Sequence, residues 1–534
     1  MSLYRNFLSV GGLTLVSRVA GFARDALMAA VLGTGPAADA FFAAFRFPNL
    51  FRRLFAEGAF NTAFVPMFSG ALEQQGPDAA LDLAARIMSW LVAMLIVVTI
   101  LAEIFMPQIM VAFVPGFTDD KAKFDLTVLL TRIMFPYLAC MSLMAAYGAI
   151  LNSLGRFFAA AFAPVILNIV NIAAMIPLVT FWVQDPAGSA VWVGVATMAG
   201  GVAQLWLVWS AIKRADFVPE FRLPRLDPEV RRFWVLAIPA ILTGGITQIN
   251  IFVGTIIASG ADNAISILNY ADRLYQLPLG IIGIAIGTVL LPELSRHLKG
   301  SRAAEARATQ DQSLLIAMLL SMPAATALIS MAEPIVRVLF ERGAFDALAT
   351  TQTAQALIAF STGLPAYVLI RVLQPGYFAR EDTVTPTIFA GISVVANIGL
   401  SLLLFPTYLH VGIAIATSVS SWLNAILLAV FLALRGHFAL TRAEWIKHVL
   451  ILLSSGVMGG ALYLLAQRGA AHMTTAAPVW EQVSVLGVLV VFGMVVYFTL
   501  VHITRAQPLG LLLRRLRRSK TTIKAPDTKL DGSK

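Results

Sequence analysis

Ten ionisable side chains sit in stretches that are otherwise apolar. "SRVAGFARDALMAAVLG" carries Arg18, Arg24 and Asp25, and "DAFFAAFRFPNLFRRLFAEGAF" carries Asp39, Arg46, Arg52, Arg53 and Glu57. "NYADRLYQLP" adds Asp272 and Arg273. The first two stretches hold five arginines against three acids, a surplus of two positive charges. Arginine presents a planar fork of donors that matches a phosphate, which lysine does not. A surplus of arginine therefore suits a dianionic group. The structural alternative, ion pairing that ties the three stretches together, is equally open for Asp25, Glu57 and Asp272 and weaker for the arginine excess.

Helical phase gives these groups a shared direction. At about 100° per residue, Asp39, Arg46, Arg53 and Glu57 fall on one stripe, while Arg52 and Arg24 point elsewhere. Arg53 and Glu57 have the spacing of a direct pair. Pro48 allows a kink that would rotate the lower half of the stripe.

The elements that position these groups must be membrane helices. The chain has 534 residues, of which 58% are hydrophobic and 13% charged, with a mean hydropathy of +0.80. Soluble proteins average about 25% charged residues. A spanning helix needs roughly 20 mainly apolar residues. Fourteen segments qualify: 7–32, 38–68, 82–106, 124–152, 158–182, 189–212, 231–258, 264–293, 310–332, 350–378, 385–405, 409–434, 446–467 and 482–503. The expected fold is an all-α polytopic bundle; the repeated alternating strands of a barrel are missing. Arg18 and Arg24 break the first apolar run, which argues against a cleavable signal. A charge at the centre of a spanning helix costs roughly 2.5–3.5 kcal/mol, so the ten groups must face a wet cavity or one another.

Basic residues set the expected orientation. With the N-terminus inside, the inner loops hold Arg156, the 213–232 group, Arg296, Lys299, Arg302, Arg307, Arg380, Arg435, Arg442 and Lys447, and the tail holds "RRLRRSK" (514–520). The outer loops keep mainly Lys121, Lys123, Arg337, Arg342 and Arg468. That bias puts both termini in the cytoplasm. It also explains the net charge of +10 without nucleic acid.

An internal repeat divides the chain. "AFNTAFVP" (59–66) and "AIGTVLLP" (285–292) match at an offset of 226, Arg46 corresponds to Arg273 with one residue slipped, and "FPYL" with Pro164 and Asn171 is echoed by "LPAY" with Pro386 and Asn397. Two six-helix lobes follow, 1–215 and 216–440. An even helix count gives them the same orientation, related by a pseudo-two-fold along the membrane normal. Helices 13 and 14 (441–505) lie outside the repeat and precede a basic tail, 506–534.

The remaining candidates point to no other chemistry. Cys140 is alone, so an intrachain disulfide is excluded. His410, His437, His448, His472 and His502 are expected at helix ends, and none forms a zinc-type pair. No Walker sequence and no nucleophile–base constellation is present, so no enzyme is expected and no metal site is assigned. "GIAIG" (283–287) has helix-packing spacing. Glu103, Arg132 and Arg371 lie in or near spans and receive no role.

The stretch from Ser17 to Phe60 resembles the first two helices of the MurJ (MviN) lipid II flippases, and "YADRLYQLPLGIIGIAIGTVLLPELS" resembles their eighth. The similarity runs nearly the whole chain, within the multidrug/oligosaccharidyl-lipid/polysaccharide exporter superfamily. The resemblance implies a flippase in the bacterial cytoplasmic (inner) membrane. Such a protein moves undecaprenyl-diphosphate-linked peptidoglycan precursor from the inner to the outer leaflet by alternating access. It matches the family's cavity arginines to Arg18, Arg24, Arg52 and Arg273, with Arg53 in the same motif, and its cavity acids to Asp39 and Glu57. Asp25 and Asp272 join them as expected ion-pairing acids. Helices 13 and 14 would form a groove for the polyprenyl tail. No cofactor is expected; coupling to the membrane potential or a monovalent cation gradient is open. Sodium ligands known in relatives are not assigned: "ARED" (379–382) and the Asn of "INIF" (249–252) are guesses. Lipid II and membrane lipids are the expected partners, with the cell-wall synthesis machinery as a candidate. Two rival readings stay open: a flippase for another polyprenyl-diphosphate oligosaccharide, and a drug or cation antiporter of the same superfamily. A third, a non-transporting scaffold for cell-wall enzymes, predicts that the arginines are dispensable.

Overall fold

Aspartates and prolines punctuate the chain into helices. Asp120, Asp185, Asp227 and Asp346 each accept the backbone N–H three residues on, and Pro186 and Pro228 stand at the first position of the helices that follow. These are the residues that open helices well, because the side-chain oxygen satisfies a free donor and proline has none to lose. The computed structural model describes residues 3–53, 62–180, 185–300, 302–474 and 477–506. Among these, every regular element is helical.

The first group of helices comprises α1 (Leu3–Leu32), α2 (Pro36–Arg52), α3 (Val65–Gln74), α4 (Pro77–Phe113), α5 (Lys121–Met134), α6 (Tyr137–Ser153), α7 (Phe158–Thr180) and α8 (Pro186–Lys213). The second comprises α9 (Pro228–Ala258), α10 (Ala264–Lys299), α11 (Ala303–Ser330), α12 (Ala332–Phe340), α13 (Ala347–Phe378) and α14 (Val384–Leu434). Within the first, α1 packs on α7, α2 on α5, and α8 on α6 and α7; within the second, α10 and α14 flank α13, and α9 lies on α14. A final hairpin, α15 (Arg442–Gly469) and α16 (Val479–Ile503), docks on α11. Gly459 lets α15 approach Thr326 of α11, and the Tyr497 hydroxyl donates to the Leu319 carbonyl at 2.8 Å.

Nine helical stretches among the described residues are long and apolar enough to cross a membrane. The charge-bearing α1, α2 and α10 are not among them. Of the expected segment 38–68, α2 and α3 cover the two ends, and 54–61, which contains Glu57, lies outside the described residues. The segment 124–152 breaks into α5 and α6 at Phe135–Pro136, where proline cannot donate. The two segments 385–405 and 409–434 are two helices within α14, separated at Leu409, whose φ of 48° and ψ of −129° are non-helical. His410 sits beside that break and is buried, not at the surface as expected. The basic segment 514–520 also lies outside the described residues.

The two groups meet at the end of the bundle where α1 finishes and α2 and α10 begin. Gly33 and Gly343 adopt φ of 59° and 58°, and each lies against the other's turn, at Ala344 and Ala30 respectively. The Ala344 N–H donates to the Ala30 carbonyl at 2.8 Å. The Gly116 N–H donates to the Ser259 hydroxyl at 3.1 Å. Phe42, Tyr270, Phe340 and Phe345 pack edge-to-face or tilted in the same zone, with neighbouring rings 5.2–5.8 Å apart. This end is therefore closed by backbone approach and aromatic packing.

Candidate substrate cleft

Below the closed end, a narrow cleft with a cavity volume of about 20 Å³ separates the groups. Its lining mixes Arg24, Asp25 and Arg273 with Asn171, Thr197 and Asn269, and with Phe41, Phe42 and Phe45. Asp25 is the hub. The Arg24 side chain donates to Asp25 Oδ1 through Nε at 3.1 Å and Nη2 at 2.7 Å. From the other group, Arg273 Nε lies 3.3 Å from Asp25 Oδ2. One carboxylate thus holds two guanidinium groups side by side, leaving the trio with one net positive charge. Helical phase points Arg24 away from Asp25, yet its long side chain folds back onto its neighbour.

The other expected residues divide into three settings. Arg52 donates to Asn49 Oδ1 at 3.0 Å, and it shares the surroundings of Tyr137 with Arg24. That proximity brings Arg52 toward the cleft despite its phase. Arg46 and Arg53 lie within electrostatic reach of Asp272, as does Arg273, and Arg46 also donates to the Thr255 hydroxyl at 3.4 Å. Asp272 in addition accepts from Gln276 on its own helix. Arg18 lies along α10 at Gly280, two turns from Arg273, just as Arg18 and Asp25 are two turns apart on α1. The facing pairs 18/280 and 25/273 show that the two helices run antiparallel here.

Asp39 does something different. It is fully buried, pairs with Lys123 Nζ at 2.9 Å, and accepts the Ser266 N–H at 2.9 Å and hydroxyl at 2.8 Å. It therefore fastens α2 to the starts of α5 and α10. Lys123, expected in an outer loop, is itself buried and rests on the Phe117 ring at 4.0 Å. Asp120, the cap three residues earlier, is the sequence signal that places Lys123 in a first helical turn. The Arg53–Glu57 pairing rests on a residue outside the described range.

Glu103 has Arg132 as its electrostatic neighbour across α4 and α5. Asn250 and Asn397 meet at 2.8 Å, joining α9 to α14. Among the described residues no cluster of three or more His, Cys, Asp or Glu side chains could hold a metal ion.

Comparison with known proteins agrees with this architecture. A structure described as an inward-facing multidrug resistance MATE family transporter of the MOP superfamily superposes with a TM-score of 0.66 at 15% identity, over 80% of this chain and 97% of that one. A structure described as "Lipid II flippase MurJ, inward closed conformation" superposes with a TM-score of 0.76 at 26% identity, over 92% of this chain and 98% of that one. The chain thus shares the multi-pass helical fold of these two structures and carries an arginine-bearing cleft within it. The family model described as "Lipid II flippase MurJ" matches residues 28–484. Relatives named as probable or established lipid II flippases MurJ include one from Rhizobium tropici, 47% identical over 97% of this chain and 98% of its own length. Another, from Burkholderia cenocepacia, is 36% identical over 87% and 90% respectively. The chain belongs to the MurJ lipid II flippase family.

Proposed function

We propose that this protein flips lipid II, the polyprenyl-diphosphate-linked precursor of peptidoglycan, from the inner to the outer leaflet of the bacterial inner membrane. The observation that carries this reading is the Arg24–Asp25–Arg273 trio, which holds guanidinium donors from both helix groups on either side of one cleft. Asp25 keeps the two arginines close despite their like charge, and a diphosphate entering the cleft would meet a preset fork of donors. Arg52 and Arg53 extend that surface, Asp272 balances it, and Arg18 lies two turns further along α10.

In this reading the groups are lobes, 1–215 and 216–440, that rock against one another. With both termini in the cytoplasm, the end closed at Gly33 and Gly343 is the outer one, so the structure corresponds to a state shut toward the outside. Asp39, Lys123 and Ser266 then belong to the outer closure rather than to the diphosphate site. The hairpin 441–505 receives the polyprenyl tail; α16 exposes an apolar face at Val488, Val491 and Phe492 along which such a chain can lie. The protein works as a carrier and not as a catalyst. Its net-positive cleft senses the membrane potential, worth about 2.3 kcal/mol per charge per 100 mV, which offers a means of resetting the empty carrier.

The test is a depletion experiment with outer-leaflet lipid II as the readout. Depletion is expected to leave lipid II unexposed at the outer face, and Arg24→Ala or Arg273→Ala protein at normal abundance should not restore it. Restoration by both variants would remove the arginine cleft from the mechanism.

A further inference from the structure

Arg371 lies in α13 and receives no role in the reading above. Its side chain crosses α10 at Gly283: a β-carbon placed there would lie 2.7 Å from Cδ and 3.0 Å from Nε. Three residues earlier on α10, Gly280 carries the Arg18 guanidinium in the same way. Positions three apart are neighbours on a helix surface. Two arginines, one from α1 and one from α13, therefore converge on adjoining glycines of α10, where the missing side chains let them lie against the backbone. Neither has a hydrogen-bond or ion-pair partner among the described residues. Two unpaired guanidinium groups within the helical bundle demand water or an anion.

We propose that Arg18 and Arg371 form a second phosphoryl-binding station on the translocation path, resting on the reading of the cleft given above. Gly280 is seven residues from Arg273, about 10 Å along the helix, which is more than one diphosphate spans. The two stations are thus occupied in turn, not together. Because α10 runs from the closed end toward the opposite one, the Arg18–Arg371 station is met first by a head group arriving from the open side. The diphosphate then advances along α10 to Arg24 and Arg273.

The experiment uses the full chain in lipid nanodiscs and measures binding of a short-chain polyprenyl diphosphate and of the matching monophosphate. Arg371→Ala is expected to weaken diphosphate binding about tenfold and to narrow the preference for diphosphate over monophosphate. Arg371→Lys should recover part of both. Gly283→Ala, which pushes the guanidinium off α10 without removing it, should shift both in the same direction. Gly254→Ala, a helical glycine of α9 with open space around it, should bind like the parent. Should Arg371→Ala fail to fold, Gly283→Ala decides alone. Parental affinity and preference in Arg371→Ala and Gly283→Ala, alongside lost binding in Arg273→Ala, would overturn the second station while leaving the cleft intact. If the parent binds neither lipid, the reading of the cleft fails and the station with it.

Discussion

Arg273 reaches Asp25 across the cleft, with Nε 3.3 Å from Oδ2, and this contact joins α10 to α1. The two helices belong to different groups and approach here through side chains. The contact is therefore both a fastener between the two groups and a brace for the arginines. Asp25 is about one-tenth exposed on its side chain, whereas Arg273 is 41% exposed. The carboxylate is the fixed member, and the guanidinium is the one available to a ligand.

Asp25→Asn should abolish transport while only moderately affecting stability. Removing the charge leaves Arg24 and Arg273 repelling one another, but Arg273 can turn toward water. The expected loss is about 1–3 kcal/mol, read as a lower thermal midpoint in detergent. Adding Arg273→Gln to Asp25→Asn should recover part of that stability and none of the transport. A double variant whose loss equals or exceeds the sum of the two single losses would show that the two residues are not coupled in this way.

The Asp39–Lys123 pair is expected to behave in the opposite manner, with stability dominating. Both partners are buried, and a charge left alone there costs about 3–5 kcal/mol. Lys123→Met should therefore lower the thermal midpoint strongly, because Asp39 then keeps only Ser266. Combining it with Asp39→Asn should restore most of the loss. Equal thermal midpoints for the parent and Lys123→Met would contradict the assignment of Lys123 as a buried tie.

Much of this arrangement was legible in the sequence, and the reasons for the misses are physical. The apolar blocks located the helices, and the charges inside them marked α1, α2 and α10, because such groups are too costly to leave in lipid. Periodicity failed for Arg24 and Arg52. It describes where a β-carbon points, while an arginine side chain is long enough to return to a neighbouring face. Lys123 was missed because its partner, Asp39, is 84 residues away, and local composition made it look like a loop residue. His410 was misplaced because the kink at Leu409 buries what a plain helix end would expose. Gly283 reads as a packing residue within "GIAIG", and Gly280 carries no signal of its own; that both carry arginines depends on α1 and α13 arriving there together.

Outside the membrane helices, Asp382 supplies a pH-dependent contribution. The Thr385 N–H and the Arg435 guanidinium, which lies 2.5 Å away, hold its carboxyl down at about 2. A depressed carboxylate stabilises the fold at pH values above its unfolded pKa of 3.8. The contribution fades as the pH falls from there toward 2, and is worth roughly 2 kcal/mol at most. Asp382→Asn should lower the thermal midpoint at pH 7 and converge with the parent near pH 2. A constant difference between the two proteins across that window would exclude this linkage.

The last prediction concerns the closed end. Gly343 holds a φ of 58° and packs against the Ala30 carbonyl, so alanine there meets two penalties, a left-handed backbone and a collision with main chain that cannot swing away. The first amounts to about 1–3 kcal/mol, and the second can be relieved only by parting the two groups. Gly343→Ala should therefore loosen the closure. The neighbouring Phe345 is 1% exposed and meets Tyr270 edge-to-face, so a thiol introduced by Phe345→Cys, in a Cys140→Ser background, reports on it. Gly343→Ala should speed alkylation of that thiol. Gly76 is the control: its φ is 91°, but nothing lies within 4 Å of the added carbon, and it sits in the turn between α3 and α4. Gly76→Ala carries backbone strain without the collision and should leave the alkylation rate unchanged. An equal acceleration in both variants would mean that strain alone governs the exposure, and that the approach of Gly343 to Ala30 does not hold the two groups together.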